Sequence, residues 1–385
     1  MNNSKKFYRV GVIGFAHMHV NELVDRFVAT GRADVVACAD TVPRTASLTT
    51  VEGSRHANLQ RALASPGGPR HYADYAEMLR GEALDIAILC PEISQHAEVT
   101  EAVARRGVHI VTEKPMAGRL DDARRMASAA GKAGITLAVN WPSTWRPAIR
   151  RVKELLDAGA IGTIWEIKWR NGASLGPLAH GSTHPGATVV SGVVSDDEKA
   201  SEWWHQAEAG GGALLDYCCY GACLASWFLE AAPLSVQCLR ANLLSGFGTA
   251  DDNAAMLLRF PSAMAILEAS WTTFHSGVPG GPIIYGTHGT IVVDGADILT
   301  YRERGASKPS VVEQGASLPQ GRATIGEEFL HHLETGHALH PTLDLPLNLA
   351  TVAILDAGIQ SAEKGAVVHV GENEHGSAHR GNRLW

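Results

Sequence analysis

Between residues 7 and 140, short apolar runs alternate with stretches in which hydrophobic positions recur with helical spacing. The runs with the character of buried strands are FYRVGVIG, ADVVACAD, LDIAILCP, VHIVTEKP and ITLAVNW. Helical patterns separate them, in residues 19–29, in a helix that VPRTASLTTV opens, in SQHAEVTEAVARRG and in residues 120–133. Alternation of strands and helices predicts a doubly wound parallel sheet over residues 1–140.

After Trp141 the pattern changes. A helix over 147–158 and the strand-like stretch GTIWEIKWRNGAS come first, and a loop rich in Gly, Ser, Pro and His covers 174–200. Next comes the largely apolar helical stretch GGGALLDYCCYGACLASWFLE. The later runs LSVQCLRANLL, DDNAAMLLRFP, AMAILEASWTTF, GPIIYGTHGTIVVDG and ILTYRE carry hairpin-type breaks, which favour a mostly antiparallel sheet.

The last elements indicate how the chain closes. A helix is expected over 325–334, and an apolar helix near 345–363 is expected to return to the body of the protein. The sequence therefore predicts an α/β protein: a nucleotide-binding domain over residues 1–140 and an α+β domain over residues 141–385.

Composition narrows the class of function. The 385 residues carry a net charge of -7 and are 45% hydrophobic, so there is no basic surface for nucleic acid or an anionic membrane. Uninterrupted apolar runs are short and the N-terminus lacks a signal-peptide pattern, so we expect a cytoplasmic protein. The six cysteines have no zinc-type spacing, so we expect them to be buried and reduced.

Polar or glycine residues follow the predicted strands at their carboxyl ends. They are Gly14, Asp40, Cys90 with Pro91, Glu113 with Lys114, and Asn140. Ligands of doubly wound sheets bind outside these ends, so one crevice is expected to contain all of them.

The stretch RVGVIGFAHMHV is a degenerate dinucleotide fingerprint. Gly14 takes the first glycine position of G-x-G-x-x-G, Ala16 the second and His19 the third. The backbone amides of Phe15 to Met18 are expected to face an anion, with His17 near the pyrophosphate. Asp40 is placed to accept a hydrogen bond from a ribose 2′-hydroxyl, which favours NAD, whereas Arg44 favours the 2′-phosphate of NADP.

His17 and His19 also suggest a metal site. Residues two apart on a helix point in different directions, and the sequence nearby supplies no complete ligand set. We therefore expect no metal.

Several motifs together resemble one family: EKP at Glu113 to Pro115, CPEISQH, WPSTWRP, GGGALLDYCCYG and YGTHGTIVVDG. The chain is similar over almost its whole length to the glucose–fructose oxidoreductase, inositol dehydrogenase and rhizopine-catabolism (Gfo/Idh/MocA) family. The resemblance implies a Rossmann domain followed by an open-sheet domain that forms a homodimer or homotetramer. It also implies NAD(P)-dependent oxidation of a secondary alcohol, or reduction of a ketone, in a sugar, polyol or glycoside.

The resemblance also assigns residues. It places Lys114 between nicotinamide and substrate, with Asp216 and Tyr220 reaching the same site from the second domain. The cofactor contacts predicted here are Gly14, Phe15, Ala16, His17, Asp40, Arg44, Cys90, Pro91, His96, Glu113 and Lys114. The predicted substrate contacts are Asn140, Trp141, Trp145, Trp203 and Asp216, and His180, His184 and His205 are expected near the mouth.

The chain departs from the family at residues that bear on the substrate. Cys218 and Tyr220 replace the glycine and histidine of the common D-x-G-x-H, Cys223 replaces a frequent aspartate, and Glu92 stands where asparagine is common. The ammonium of Lys114 is expected to lower the pKa of Tyr220, which would let the tyrosine act as acid and base. Two alternatives stay open: a glycosidase that works through transient oxidation, and a non-catalytic sensor that binds the cofactor.

Overall fold

The computed structural model describes residues 6–65, 67–172, 194–273 and 277–370. Six parallel strands form the first sheet in the order β3-β2-β1-β4-β5-β6. The strands are β1 (Tyr8–Ile13), β2 (Ala33–Ala39), β3 (Arg70–Tyr72), β4 (Ile86–Leu89), β5 (His109–Glu113) and β6 (Leu137–Asn140). This order is that of a Rossmann sheet, which confirms the predicted doubly wound architecture.

Ten α-helices lie in the described residues. They are α1 (His19–Val28), α2 (Arg55–Leu63), α3 (Tyr75–Gly81), α4 (His96–Ala104), α5 (Leu120–Ala133), α6 (Pro147–Asp157), α7 (Asp196–Ser201), α8 (Cys219–Leu229), α9 (Ile325–Thr335) and α10 (Leu345–Lys364). Helices with long apolar stripes begin and end close to their predicted bounds. The stretch VPRTASLTTV is not helical, and α2 starts after it, where the Ser54 hydroxyl accepts a hydrogen bond from the Ala57 amide.

The second sheet has nine strands in the order β14-β13-β12-β11-β7-β10-β9-β8-β15. They are β7 (Ile164–Asn171), β8 (Ser235–Ala241), β9 (Asn253–Arg259), β10 (Met264–Ser270), β11 (Ile283–Gly286), β12 (Gly289–Asp294), β13 (Asp297–Tyr301), β14 (Val311–Gln314) and β15 (Val368–His369). Only β7 and β10 pair in parallel, so the sheet is mostly antiparallel, as predicted.

One face of this sheet is covered by helices. Along β9, Met256 and Leu258 are buried while Leu257 between them is exposed. Helix α8 packs so closely on β7 and β10 that a Cβ at Gly221 would lie 2.9 Å from Trp169. On the other face, the described residues leave Leu239, Leu257 and Met264 of strands β8, β9 and β10 exposed.

Two stretches, Ala207–Leu229 and Leu345–Lys364, are long and apolar enough to cross a membrane. The sequence argument from the shortness of uninterrupted apolar runs did not identify these two stretches. In the fold, 89% and 56% of their most apolar windows are buried, which is typical of core helices in a globular protein. Helix α10 packs against α8, α5 and β8, so it joins the two sheets, as the return helix was expected to do.

Candidate functional site

The carboxyl ends of the strands of the first sheet form a crevice around the β1–α1 loop. Gly14 directly follows β1 with φ +84°, and a Cβ there would lie 2.3 Å from the Pro91 nitrogen. Both the conformation and the contact require glycine, so the first glycine of the fingerprint is the one that the fold cannot replace.

Two backbone amides of the β1–α1 loop already donate hydrogen bonds within the protein. The Phe15 amide donates to Asp40 Oδ1 (3.2 Å), and the Ala16 amide donates to the Cys90 carbonyl (2.9 Å). The prediction that the amides from Phe15 to Met18 all face an anion is therefore wrong for the first two, because these bonds tie the loop to the ends of β2 and β4.

Asp40 belongs to a buried ionic network. Arg55 Nη1 lies 2.7 Å from Asp40 Oδ1, and its Nη2 lies 3.0 Å from Glu92 Oε1. Burial raises the pKa of Glu92, although the positive charge of Arg55 opposes this. Arg44 is exposed, and its Nε donates to Ser94 Oγ (3.0 Å). Arg55 was missed from the sequence, since nothing near it marks an ionic partner of Asp40.

His17 and His19 lie close together beneath this loop. Their ring centroids are 4.0 Å apart, and His19 Nδ1 lies 2.7 Å from Glu113 Oε1. The sequence argument against a metal was wrong in two respects: α1 begins only at His19, so helical spacing does not apply, and β5 supplies a third donor. One donor atom from each of the three residues lies within 4.8 Å of the others.

Hydrogen bonds already use ring atoms of this cluster. His17 Nδ1 accepts the His19 amide (3.0 Å), so Nδ1 carries no proton and a ring proton sits on Nε2. His19 and Glu113 form a hydrogen-bonded pair that is buried on both sides. Ligation of a metal through His17 would require its Nδ1 bond to break or its Nε2 proton to leave. The absence of a metal stays a prediction.

Lys114 and Asp216 join the two sheets. Lys114 is only 2% exposed, and its Nζ lies 2.8 Å from Asp216 Oδ1 and 3.1 Å from the Asp216 carbonyl oxygen. Burial alone would lower the pKa of Lys114, but the negative charge of Asp216 and its neighbours raises it well above the ordinary value. Trp271 Nε1 donates to Asp216 Oδ2 (3.2 Å), a contact that the sequence analysis did not identify.

A π-helix over Leu214–Cys218 precedes α8 and carries Asp216. Such bulges widen one helical turn, and they are frequent at functional sites. Here the widened turn presents both the carboxylate and the carbonyl oxygen of Asp216 to Lys114. Lys114 Nζ also lies 4.8 Å from the centroid of the Tyr220 ring. The structure therefore brings Lys114, Asp216 and Tyr220 together, as predicted.

The electrostatics of Tyr220 differ from the expectation. Burial raises the pKa of its hydroxyl strongly, and the opposing effect of the Lys114 charge is smaller. The ammonium lies over the face of the ring, where it contacts the π-electrons. The prediction of a lowered tyrosine pKa was therefore wrong, and the phenol keeps its proton at neutral pH.

The predicted tryptophan cluster separates into distinct places. Trp141 is fully buried, with its Nε1 donating to Asn348 Oδ1 (2.8 Å), so it is a core residue and the substrate-contact prediction was wrong. Trp145 donates to Asn140 Oδ1 (3.2 Å), and both residues line a groove beside α1 and Thr324. Asn140 is also the register partner of Glu113, the residue before Lys114, so the substrate contacts of Asn140 and Trp145 stay predictions.

Trp203 and Trp204 do reach the Lys114 side. A narrow enclosed space, too tight in this structure to admit a water molecule, lies there and is lined by His17, Ile93, Lys114, Pro115, Trp203, Trp204, Gly210, Gly211, Gly212 and Asp216. Trp203 Nε1 donates to the Ala16 carbonyl (2.7 Å), which holds the second half of the chain against the nucleotide loop.

Four predicted histidine positions take other roles or lie outside the described residues. His96 is buried and its Nδ1 contacts the Met116 carbonyl oxygen (3.1 Å), so it ties α4 to the loop after β5. Burial lowers its pKa, which keeps the ring neutral. His205 is buried against Trp271 rather than at a mouth, and His180 and His184 lie outside the described residues.

The crevice suits a dinucleotide. Gly14 lets the backbone approach closely, α1 begins beside the loop, and Asp40 stands at the end of β2. The Gly14 loop would hold the pyrophosphate of the dinucleotide, Asp40 would bind its ribose, and Lys114 would lie beside its nicotinamide.

Comparisons with known proteins agree with this geometry. Residues 8–141 match the NAD-binding Rossmann-fold domain of the GFO/IDH/MocA oxidoreductase family, and residues 149–292 match its C-terminal domain. The chain is 27% identical over 290 residues to dTDP-3,4-didehydro-2,6-dideoxy-alpha-D-glucose 3-reductase of Streptomyces violaceoruber, covering 75% of this chain and 73% of that protein. It is 27% identical over 246 residues to 1,5-anhydro-D-fructose reductase of Ensifer adhaerens, covering 63% and 67% respectively.

A solved structure shows the same fold. The WlbA dehydrogenase from Bordetella pertussis, crystallised with NADH and UDP-GlcNAcA, superposes with a TM-score of 0.71 at 22% identity, over 96% of this chain and 100% of that one. These matches favour an oxidoreductase over the glycosidase and sensor alternatives. The chain belongs to the GFO/IDH/MocA family of oxidoreductases and is an NAD(P)-dependent enzyme.

Proposed function

We propose that this enzyme reduces a ketone of a sugar-like substrate to a secondary alcohol, with Lys114 contacting the reacting oxygen. The observation that carries the proposal is the buried Lys114–Asp216 pair in the wall of the enclosed space. A lysine is rarely buried unless it is paired and has a task at a site.

The protonation of the pair favours the reductive direction. Because the pKa of Lys114 is raised well above its ordinary value, the side chain is an ammonium at neutral pH. An ammonium polarises a carbonyl and stabilises the negative charge that develops on its oxygen. Bound NADH or NADPH supplies the reducing chemistry.

Tyr220 is the proposed proton donor. Its hydroxyl holds its proton at neutral pH because burial raises its pKa, and its ring is fixed by stacking on Trp169 at 5.9 Å between centroids. In the reductive direction a protonated phenol can give its proton to the forming alkoxide, while Lys114 stays charged. Asp216 orients Lys114 through its carboxylate.

The relatives suggest the class of substrate. Two of them are named as reductases of a deoxyketosugar nucleotide and of anhydrofructose, both of which carry a ketone on a pyranose-type skeleton. We propose that this chain acts on a carbohydrate ketone of the same chemical class.

A reduction screen tests the proposal. Purified enzyme is mixed with NADH or NADPH and with 1,5-anhydro-D-fructose, inosose and 3-keto sugars, and absorbance at 340 nm is followed. Lys114→Ala should lower kcat by about 10³-fold or more, since it removes the charge beside the reacting oxygen. The control is Lys132→Ala, an exposed lysine on α5, which should leave kcat unchanged. Equal rates for Lys114→Ala and wild type would refute the assignment.

We also propose that two copies of the chain associate through the face of the second sheet opposite its helices. Leu239, Leu257 and Met264 stand on adjacent strands of that face and are 74%, 47% and 41% exposed. Apolar side chains on neighbouring strands favour association with a second sheet of the same kind. Leu257→Glu should shift the protein toward monomer in light scattering, whereas Val42→Glu, at an exposed position in the connection after β2 of the first sheet, should not.

A further inference from the structure

Trp203 and Trp204 are neighbours in a short 3₁₀ helix, and both are buried. Their indole rings lie 4.2 Å apart between centroids. The N–H of Trp203 is used by the Ala16 carbonyl. Trp203 is one of the predicted substrate contacts, but the only polar atom of its side chain already donates to the nucleotide loop.

Trp204 is in a different position. It is 1% exposed, and its Nε1 has no hydrogen-bond partner within the described parts of the chain. Buried polar groups without a partner are rare in folded proteins, and each one calls for an explanation. Trp204 lines the enclosed space together with Lys114 and Asp216, so a substrate that widens this space on binding would contact the indole.

The backbone fixes Trp204 relative to the reacting residues. Its carbonyl accepts the Gly212 amide (3.0 Å), and a Cβ at Gly211 would lie 2.2 Å from the same oxygen. These glycines lead directly into the π-helix that carries Asp216. The glycines therefore fix the position of the Trp204 backbone relative to Asp216. The hydrogen bond from Trp203 to the Ala16 carbonyl fixes the two tryptophans against the nucleotide loop.

We propose that Trp204 is a substrate-binding residue whose indole N–H donates a hydrogen bond to an oxygen of the sugar beside the reacting carbon. This inference rests on the proposed function and adds a specificity rule to it. An indole is a donor only, so the matching position of the substrate must carry an acceptor such as a hydroxyl, a ring oxygen or a carboxylate. A deoxy carbon or an ammonium at that position leaves the N–H unpaired and is disfavoured.

The test compares Trp204→Phe with Trp203→Phe. Both changes keep an aromatic ring and remove one indole N–H. On the substrate found by the reduction screen, Trp204→Phe should lower kcat/KM by about 10- to 100-fold and leave the Kd for NADH unchanged. Trp203→Phe should instead weaken NADH binding, because it releases the Ala16 carbonyl.

Deoxy analogues of the same substrate complete a double-mutant cycle. With the wild type, the analogue that lacks the contacted oxygen should show the same fall in kcat/KM that Trp204→Phe shows with the full substrate. With Trp204→Phe this analogue should cause no further fall in kcat/KM, whereas with Trp203→Phe it should still lower kcat/KM by that factor. Wild-type selectivity among the analogues is measurable even if Trp204→Phe fails to fold, and equal kcat/KM for every analogue would overturn the inference. So would a folded Trp204→Phe with wild-type kcat/KM.

A binding measurement separates this inference from the proposed function. With NADH present, the indole N–H resonance of Trp204, assigned by its loss in Trp204→Phe, is followed by NMR during titration with 1,5-anhydro-D-fructose and with myo-inositol. Movement of this resonance supports the contact even if no reduction occurs, in which case only the proposed reaction fails. An unmoved resonance with both sugars, at concentrations that perturb other signals, contradicts the contact.

Discussion

The two halves of the site are built on different physical rules. In the first half, Gly14, Asp40 and Lys114 follow strands of a parallel sheet, and their convergence comes from topology. In the second half, Asp216 and Tyr220 are presented by a π-helix and the start of α8, and their positions depend on packing against β7 and β10. Positions set by topology can be predicted from the order of strands, whereas positions set by packing need the contacts themselves.

Electrostatics separate the halves as well. Around Asp40, two carboxylates share the buried guanidinium of Arg55, and of the three side chains only that of Asp40 is partly exposed. Around Asp216, one carboxylate holds one ammonium, and both side chains are almost fully buried. Interactions are stronger where water is excluded, so changes in the second half should have larger effects on the reaction.

After Lys114→Ala, the largest effect is expected for Tyr220→Phe, which removes the proposed proton donor and keeps the ring under Lys114. Loss of a general acid should lower kcat by about 10²- to 10⁴-fold with little change in nucleotide affinity. Stopped-flow and steady-state rates with the reducible substrate measure it. Tyr301→Phe, on β13, is the control. Near-normal turnover in Tyr220→Phe would leave Lys114 as the proton carrier.

Asp216→Asn should have a smaller effect on rate, about 10- to 10²-fold, and a distinct effect on pH dependence. The Asp216 charge raises the pKa of Lys114, while burial lowers it. Without the carboxylate the pKa of Lys114 falls, so the ammonium and the reductive rate are lost at a lower pH.

A series of kcat against pH measures this shift. The alkaline limb should move to lower pH in Asp216→Asn and stay in place in Glu268→Gln, an acid on β10 that pairs with Arg170 instead. An unmoved limb in Asp216→Asn would show that Asp216 does not set the charge of Lys114.

In the first half, Asp40→Ala should change nucleotide choice rather than chemistry. We expect the wild type to prefer NADH to NADPH, because Asp40 and Glu92 both repel a 2′-phosphate, and Asp40→Ala to narrow the preference by about tenfold. Fluorescence titration gives both Kd values. Arg44→Ala, whose side chain is exposed and bonded to Ser94, should change the ratio little. If the wild type binds NADPH more tightly than NADH, a basic side chain and not Asp40 determines the choice of nucleotide.

The smallest effect is expected from the removal of metal ions. Protein purified without added metal should contain none in stoichiometric amount, and a chelator should leave the melting temperature unchanged, because His17 and His19 are already hydrogen-bonded. Elemental analysis of the wild type and of a His17→Ala, His19→Ala double variant decides it. One metal ion per chain, lost in the double variant, would assign the cluster as a ligand set.

Several features were determined by the sequence itself. Period-2 and period-3.6 patterns set the strands and most helices, and the strand ends identified Gly14, Asp40 and Lys114, because parallel strands expose their carboxyl ends at one edge. The helix spanning Leu120–Ala133 matched its predicted bounds because its apolar stripe ends at Gly134, which adopts φ +65°. The domain boundary at residues 140 and 141, and the cytoplasmic location, stay predictions.

Other features were decided only by tertiary structure. The short β3 and α3 were missed because three or seven residues give too little periodicity. Whether Trp141 or Trp204 meets a ligand depends on which indole N–H finds a partner in the core, and Asn348 lies 207 residues from Trp141. The charge of Lys114 and the raised pKa of Tyr220 depend on how much water the fold excludes around them, a property of packing that no local pattern encodes.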